Sequence, residues 1–270
     1  MAAEVELTVL TDNNTYIDRY YLGEPGVSYY IEDGDSKILF DTGYSDVYLR
    51  NAKALGIDLA SIDTLALSHG HNDHSGGLKY FPANVKPVLI AHPAAFAAKR
   101  VGEIAIGAPF SVTQAAGRFA LKLTRVPVKL SAHITFLGEI PRITSFEAKK
   151  PLAETKTGGK WQPDNLFDDT ALVYKSDKGL YIITGCSHSG ICNIIEYAKK
   201  VSGDDRLAGL IGGMHLFGQS AQLDETIAYL KKQQPLFELY PCHCTDFIAR
   251  SAIYRELEIR EVGVGLHLSW

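Results

Sequence analysis

Residues Ser68-His69-Gly70-His71-Asn72-Asp73-His74-Ser75-Gly76-Gly77 place three histidines and a carboxylate within six consecutive positions. The run follows Asp63-Thr64-Leu65-Ala66-Leu67, a short apolar segment that reads as a buried strand. The cluster therefore belongs in a loop at a strand's C-terminal end, where α/β proteins concentrate their chemistry. Neutral imidazole and carboxylate are ligands for Zn²⁺ and similar borderline divalent ions. Gly70, Gly76 and Gly77 allow tight backbone paths around these side chains. A solvated turn that happens to be rich in histidine is the plain alternative. As a metal loop, the segment demands a fold that brings further ligands to it from elsewhere.

Two later segments have the required form. Thr184-Gly185-Cys186-Ser187-His188-Ser189-Gly190 follows an apolar strand pattern and opens a helix, so His188 emerges at a strand end. Pro241-Cys242-His243-Cys244-Thr245 likewise stands between a strand and a helix, and presents His243. His215 follows a strand pattern and two glycines, which would place it beside the metals as proton donor or oxyanion ligand, or in a structural role. Cys186 is either a thiolate ligand or a small buried residue next to the site.

Between these points the pattern alternates strands and helices. Glu6–Leu10, Val27–Ile31, Lys37–Phe40 and Pro87–Ala91 read as strands, with a helix capped by Ser45 and ended by Gly56. Thr170–Lys175 and Leu180–Thr184 form a hairpin around Ser176-Asp177-Lys178-Gly179. Ile191, Ile194, Ile195 and Ala198 form a helical stripe; Leu207–Ile211 is a strand, Leu223, Ile227 and Leu230 mark a helix, Leu236–Tyr240 is a strand, and Asp246 opens the last helix. Residues 94–130 show no clean period. Residues 148–169, rich in charge and holding two prolines and two glycines, read as a loop or insertion. These elements suit a layered α/β domain spanning residues 1–270.

The pattern His69-x-His71-x-Asp73-His74 resembles the metallo-β-lactamase superfamily, supported by Leu39-Phe40-Asp41-Thr42-Gly43 ahead of the loop and by the late His243. The resemblance implies a four-layer αββα sandwich with two metal ions along one edge. It implies His69, His71 and His188 on one ion, and Asp73, His74 and His243 on the other. Each ion would keep an open position, and water shared between them would become a nucleophile near neutral pH. Zinc is the default ion, with manganese or iron admissible. Asp41 would orient a ligand histidine or simply close its turn.

One departure stands out: Gly185-Cys186 occupies the position where many superfamily hydrolases carry a metal-bridging aspartate. Gly212-Gly213-Met214-His215-Leu216 and Phe136-Leu137-Gly138-Glu139-Ile140-Pro141-Arg142, with the two Cys/His segments, resemble the branch of metal-dependent hydrolases that includes 7,8-dihydropterin-6-yl-methyl-4-(β-D-ribofuranosyl)aminobenzene 5′-phosphate synthase, of methanopterin biosynthesis. Arg142 would then clamp a substrate phosphate, unless it serves in a surface ion pair.

Composition narrows the class further. A net charge of −4 argues against nucleic acid as the main partner. No segment approaches the roughly 20 apolar residues of a membrane span. The acidic start Met1-Ala2-Ala3-Glu4-Val5-Glu6 is unlike a signal peptide, and Cys242 and Cys244 are too close for an ordinary disulfide staple. The expectation is a soluble, cytoplasmic enzyme acting on a small molecule, phosphorylated or pterin-like. The readings in competition are pterin coupling through a diphosphate leaving group, metal-dependent hydrolysis, and a non-catalytic metal-bound sensor or ligand-binding protein.

Overall fold

The computed structural model describes residues 5–233 and 238–270. The start of the acidic N-terminal stretch (residues 1–4) and the first two residues of the expected strand 236–240 lie outside them. Among the described residues the first sheet has seven strands, ordered His267–Ser269, Val5–Thr11, Ser28–Asp33, Ser36–Phe40, Thr64–Ala66, Val88–Ala91 and Ala120–Leu123. The second has six: Glu238–Pro241, Leu207–Gly212, Gly179–Thr184, Ala171–Ser176, Ile134–Phe136 and Val128–Lys129. A smaller sheet joins Lys160–Asp164, Ala153–Thr157, Lys99–Val101 and Ile104–Ala105.

The two large sheets stack because their strands alternate in what they bury. Tyr29, Ile31, Ile38, Phe40, Ala66 and Ile90 of the first sheet meet Phe136, Leu172, Tyr174, Tyr181, Ile183 and Ile211 of the second in one core. The intervening Tyr30, Leu39, Leu65 and Leu89 point the other way, into a cluster with Tyr48 and Ala52 of the helix Val47–Ala54. On the far side, Val173, Leu180, Ile182 and Leu210 pack against Ile194, Ile195 and Ala198 of the helix Ile191–Ser202, and against the helices Ala221–Leu230 and Phe247–Tyr254. Strands covered on both faces give three apolar layers between four structural ones, the αββα sandwich. Each fully buried Leu or Ile in them contributes about 1.5–3 kcal/mol.

Parallel pairing positions the site. Ser36–Phe40, Thr64–Ala66 and Val88–Ala91 run parallel in one sheet; Gly179–Thr184, Leu207–Gly212 and Glu238–Pro241 run parallel in the other. Asp41, the 68–77 loop, the Cys186–His188 turn, His215 and His243 all leave the C-terminal ends of these strands.

Several local expectations are corrected. The first helix starts at Val47, one residue later than expected. Asp46 holds the N-cap position without a side-chain bond, and the Ser45 hydroxyl accepts from Val47 N–H at 3.3 Å. Glu24 accepts from the backbone of Tyr44 and Ser45 and from the Ser45 hydroxyl, fixing the chain before the helix begins. Residues 148–169 are not an irregular loop: Ala153–Thr157 and Lys160–Asp164 form a hairpin turned at Gly158-Gly159, both with positive φ, and docked on Lys99–Val101. The unresolved pattern of residues 94–130 contains short strands and the helix Val112–Arg118, which carries a Ser111/Gln114 capping box.

Candidate metal centre

The metal loop is fastened on both sides. Thr42 donates from its backbone and its hydroxyl to the His74 carbonyl, and Gly70 donates its N–H to Asp168 at 2.8 Å. The chain then makes one short helix, Asn72–Ser75, whose His74 and Ser75 amides bond back to the His71 carbonyl. Its glycines act by close approach: a Cβ at Gly77 would stand 2.1 Å from the Thr42 carbonyl oxygen. Gly185 is equally constrained, since a Cβ there would lie 2.3 Å from the Ser68 hydroxyl.

Six side chains from three strand ends converge. The His69 ring lies 4.6 Å from His71 and 4.7 Å from His188, centroid to centroid, and His71 lies 5.0 Å from His188. On the other side, an Asp73 carboxylate oxygen is 3.6 Å from His74 Nε2 and 3.4 Å from His243 Nε2. Cys186 stands between them. Its Sγ is 3.1 Å from His74 Nε2, and one ligand atom each from Asp73, His74, Cys186 and His243 falls within 4.8 Å of the others. The same holds for His69, Cys186 and His188, and for His69, His71 and Asp73. The sulfur thus occupies the junction of the two halves.

The supporting contacts fix which nitrogens face inward. Asp41 accepts from His74 Nδ1 at 2.7 Å and from the backbone and hydroxyl of Ser68 at 2.7 and 2.6 Å. Asn13 bonds His243 Nδ1 at 2.8 Å. Both contacts leave Nε2 for the interior. The Nε2 atoms of His69, His71 and His243 and both ring nitrogens of His188 are buried without a hydrogen-bond partner. Uncompensated burial of so many polar atoms is costly in an ordinary core, and divalent ions are the groups that this donor chemistry fits. Asp41, Ser187, His215 and His243 also adopt left-handed backbone, with φ of 61°, 57°, 49° and 48°, a conformation that costs non-glycine residues energy and gathers at functional sites.

The two halves differ electrically. Burial holds His69 and His188 well below their ordinary pKa, helped by neighbouring imidazoles, and lowers His71 to about 4. At His74 burial acts in the same direction, but the carboxylates of Asp73 and Asp41 override it and raise the group to about 9. Burial opposes ionisation of Asp73, yet His74 and His243 hold its carboxyl well below the usual range. Burial pushes the Cys186 thiol up, whereas Cys244 is held low by hydrogen bonds with Cys186 and His215 that outweigh its burial.

His215 lies against His188, 4.3 Å between centroids, with its backbone N–H on the Cys244 sulfur at 3.3 Å. Arg142 is not in an ion pair among the described residues: its guanidinium donates to the carbonyls of Asn165 and Leu166 and lies 5.0 Å from the Phe167 ring. Sequence reasoning overlooked Ser68, Asn13, Cys244 and the buried group Lys99–Asp164–Asp168. The signals were faint, since Asn13 sits in a polar run after the first strand and Asp168 precedes a strand 69 residues from the lysine it meets.

A four-layer αββα sandwich with a histidine-rich edge defines a class, and the chain belongs to it: the metallo-β-lactamase superfamily model matches residues 22–200. More specific relatives span nearly its whole length. An uncharacterized protein of Methanocaldococcus jannaschii is 35% identical over 247 residues, covering 90% of this chain and 91% of its own. The 7,8-dihydropterin-6-methyl-4-(beta-D-ribofuranosyl)-aminobenzene-5′-phosphate synthase of the same organism is 31% identical over 273 residues, covering 94% and 92%. Among solved structures, Tm1679, a metal-dependent hydrolase of the β-lactamase superfamily, superposes with a TM-score of 0.85 at 30% identity, covering 98% of both chains. The similarity to the synthase supports the branch indicated by the Cys/His motifs. No helix among the described residues is long and apolar enough to cross a membrane.

Proposed function

We propose that this protein is a dinuclear metal-dependent enzyme acting on a small, phosphorylated, pterin-like substrate. The observation that carries the reading is the inward set of unpartnered nitrogens on His69, His71, His188 and His243, closed by Asp73, His74 and Cys186. His69, His71 and His188 would hold one ion; Asp73, His74 and His243 would hold the other, with Cys186 at the junction. Zinc fits nitrogen, carboxylate and sulfur together best, while manganese and iron fit the nitrogen and oxygen ligands. When bound, such ions supply Lewis acidity to an anionic oxygen.

The chain's own residues prepare the site for that chemistry. Asp41 and Asn13 hold the rings of His74 and His243 by Nδ1, so that ligand geometry is set in advance. Asp73 stays ionised throughout the neutral range and is the fixed negative charge of the cluster. A thiol in place of a bridging carboxylate removes one hard oxygen ligand. That substitution favours binding and polarising a phosphate or diphosphate leaving group over activating water, in keeping with the 31%-identical synthase.

The test is incubation of metal-loaded protein with a dihydropterin-methyl diphosphate and a ribofuranosyl-aniline phosphate, beside a panel of phosphodiesters and lactones. Coupled product that disappears in His71→Ala supports the synthase reading. Metal-dependent cleavage of the panel without coupling leaves hydrolysis, the reading favoured by the likeness to the metal-dependent hydrolase. Metal binding with no turnover of any substrate would return the protein to the sensor class.

A further inference from the structure

Beyond the histidine set lies a second group of donors. Cys186, His215 and Cys244 come from the ends of three adjacent parallel strands, and one ligand atom from each falls within 4.8 Å of the other two. The group is held closely. The Cys244 thiol donates to the Cys186 carbonyl at 3.4 Å, and the His215 N–H points at the Cys244 sulfur. A Cβ at Gly213 would lie 2.5 Å from that sulfur, so the backbone is drawn in against it. His215 Nδ1 is buried and has no hydrogen-bond partner, and the ring is kept in place between His188 and Phe217, at 4.3 and 4.8 Å. Two sulfurs and an imidazole at this spacing are a soft-to-borderline donor set.

We propose that Cys186, His215 and Cys244 form a sulfur-rich metal pocket, separate from the histidine set but sharing Cys186 with it, that takes a thiophilic divalent ion such as Zn²⁺. Hard ions such as Mn²⁺ prefer oxygen and would be disfavoured in it. Binding takes both sulfurs as thiolates: any thiol proton still on Cys186 or Cys244 leaves to solvent as the ion enters, and no electrons are transferred. His215 then serves as a ligand. Thiolate sulfur can bridge two ions, which would make Cys186 the link between this pocket and the half formed by Asp73, His74 and His243.

The experiment uses the full chain, stripped of metal, reduced and loaded anaerobically with Co²⁺ as a spectroscopic probe, with Zn²⁺ counted in parallel by elemental analysis. In the wild type we expect an intense sulfur-to-cobalt band in the near ultraviolet. Cys244→Ser should lose roughly half of that intensity, as one of two thiolates is removed, and should bind one Zn²⁺ fewer. His215→Ala should also bind one fewer, while His71→Ala keeps the band. Cys192→Ser, a buried thiol outside the group, should match wild type. A Cys244→Ser band and zinc count equal to wild type would overturn the pocket. Should that variant fail to fold, alkylation of the wild type decides: Cys244 protected with Zn²⁺ and exposed after chelation supports the pocket, and equal labelling in both states refutes it. Because the readouts are spectral and stoichiometric, a protein that turns over no substrate still tests the pocket. Loss of activity in His71→Ala alone reports on the function proposed above.

Discussion

Asp41 ties the start of the metal loop to one of its histidines. One carboxylate oxygen takes the Ser68 amide while the other takes the Ser68 hydroxyl and His74 Nδ1, all without solvent. Asp41→Asn keeps the shape but places an amide where an anion orients the imidazole. Metal affinity in the half holding His74 should fall about 10–100-fold, measured by competition with a chromophoric chelator. Protons supply a second test. In the metal-free protein His74 titrates near pH 9, so a metal entering at pH 7 must displace its proton. Its raised pKa favours the metal-free fold below about pH 6.5, an advantage lost as pH rises through about 9. Apparent metal affinity should therefore climb between pH 7 and 9, with proton release visible as buffer-dependent heats in calorimetry. His71 has the opposite sign: with its pKa lowered to about 4, it weakens the metal-free fold as pH falls from about 6.5 to 4. Adding metal should therefore move the acid-unfolding midpoint to lower pH.

At the scale of elements, the helix Phe247–Tyr254 depends on its cap. One Asp246 oxygen accepts from Ala249 N–H at 2.7 Å and the other from Gly218 N–H at 2.7 Å, tying the helix to the segment after His215. Asp246→Ala should destabilise the protein by about 1–2 kcal/mol in urea denaturation with the metal count unchanged. This cap was readable in the sequence, as were the strand ends that carry His69, His188 and His243, because strong apolar periods stop there. The hairpin of residues 153–164 was not, although Gly158-Gly159 is a good turn signal. Its strands, Ala-Glu-Thr-Lys-Thr and Lys-Trp-Gln-Pro-Asp, bury too little to show a period of two, and Pro163 marks an edge strand. The convergence of Cys186 with Cys244, and of Asn13 with His243, was also hidden. Contacts between distant loops leave no periodic trace in either segment.

Across the whole molecule, one lysine couples the small sheet to the metal loop. Lys99 is 2% exposed and reaches Asp164 at 2.6 Å and Asp168 at 3.0 Å, while Asp168 also holds Gly70 between two metal-facing histidines. Lys99→Met would strand two buried carboxylates without a cation. The expected loss is about 3–5 kcal/mol, read as a lower urea midpoint. Metal affinity should weaken beyond what the Asp246→Ala control shows, because the loop loses its anchor as well as the sheet its core charge.

The left-handed backbone at Asp41, Ser187, His215 and His243 bears on how this chain can change under selection. At His215 and His243 glycine would relax the backbone without stripping the buried partners that Asp41 and Ser187 hold, so a population screened only for heat resistance should drift toward glycine at those two positions. The same drift would erase the side chains that the strand ends present, and variants recovered for thermal survival should be enriched in proteins that no longer hold metal.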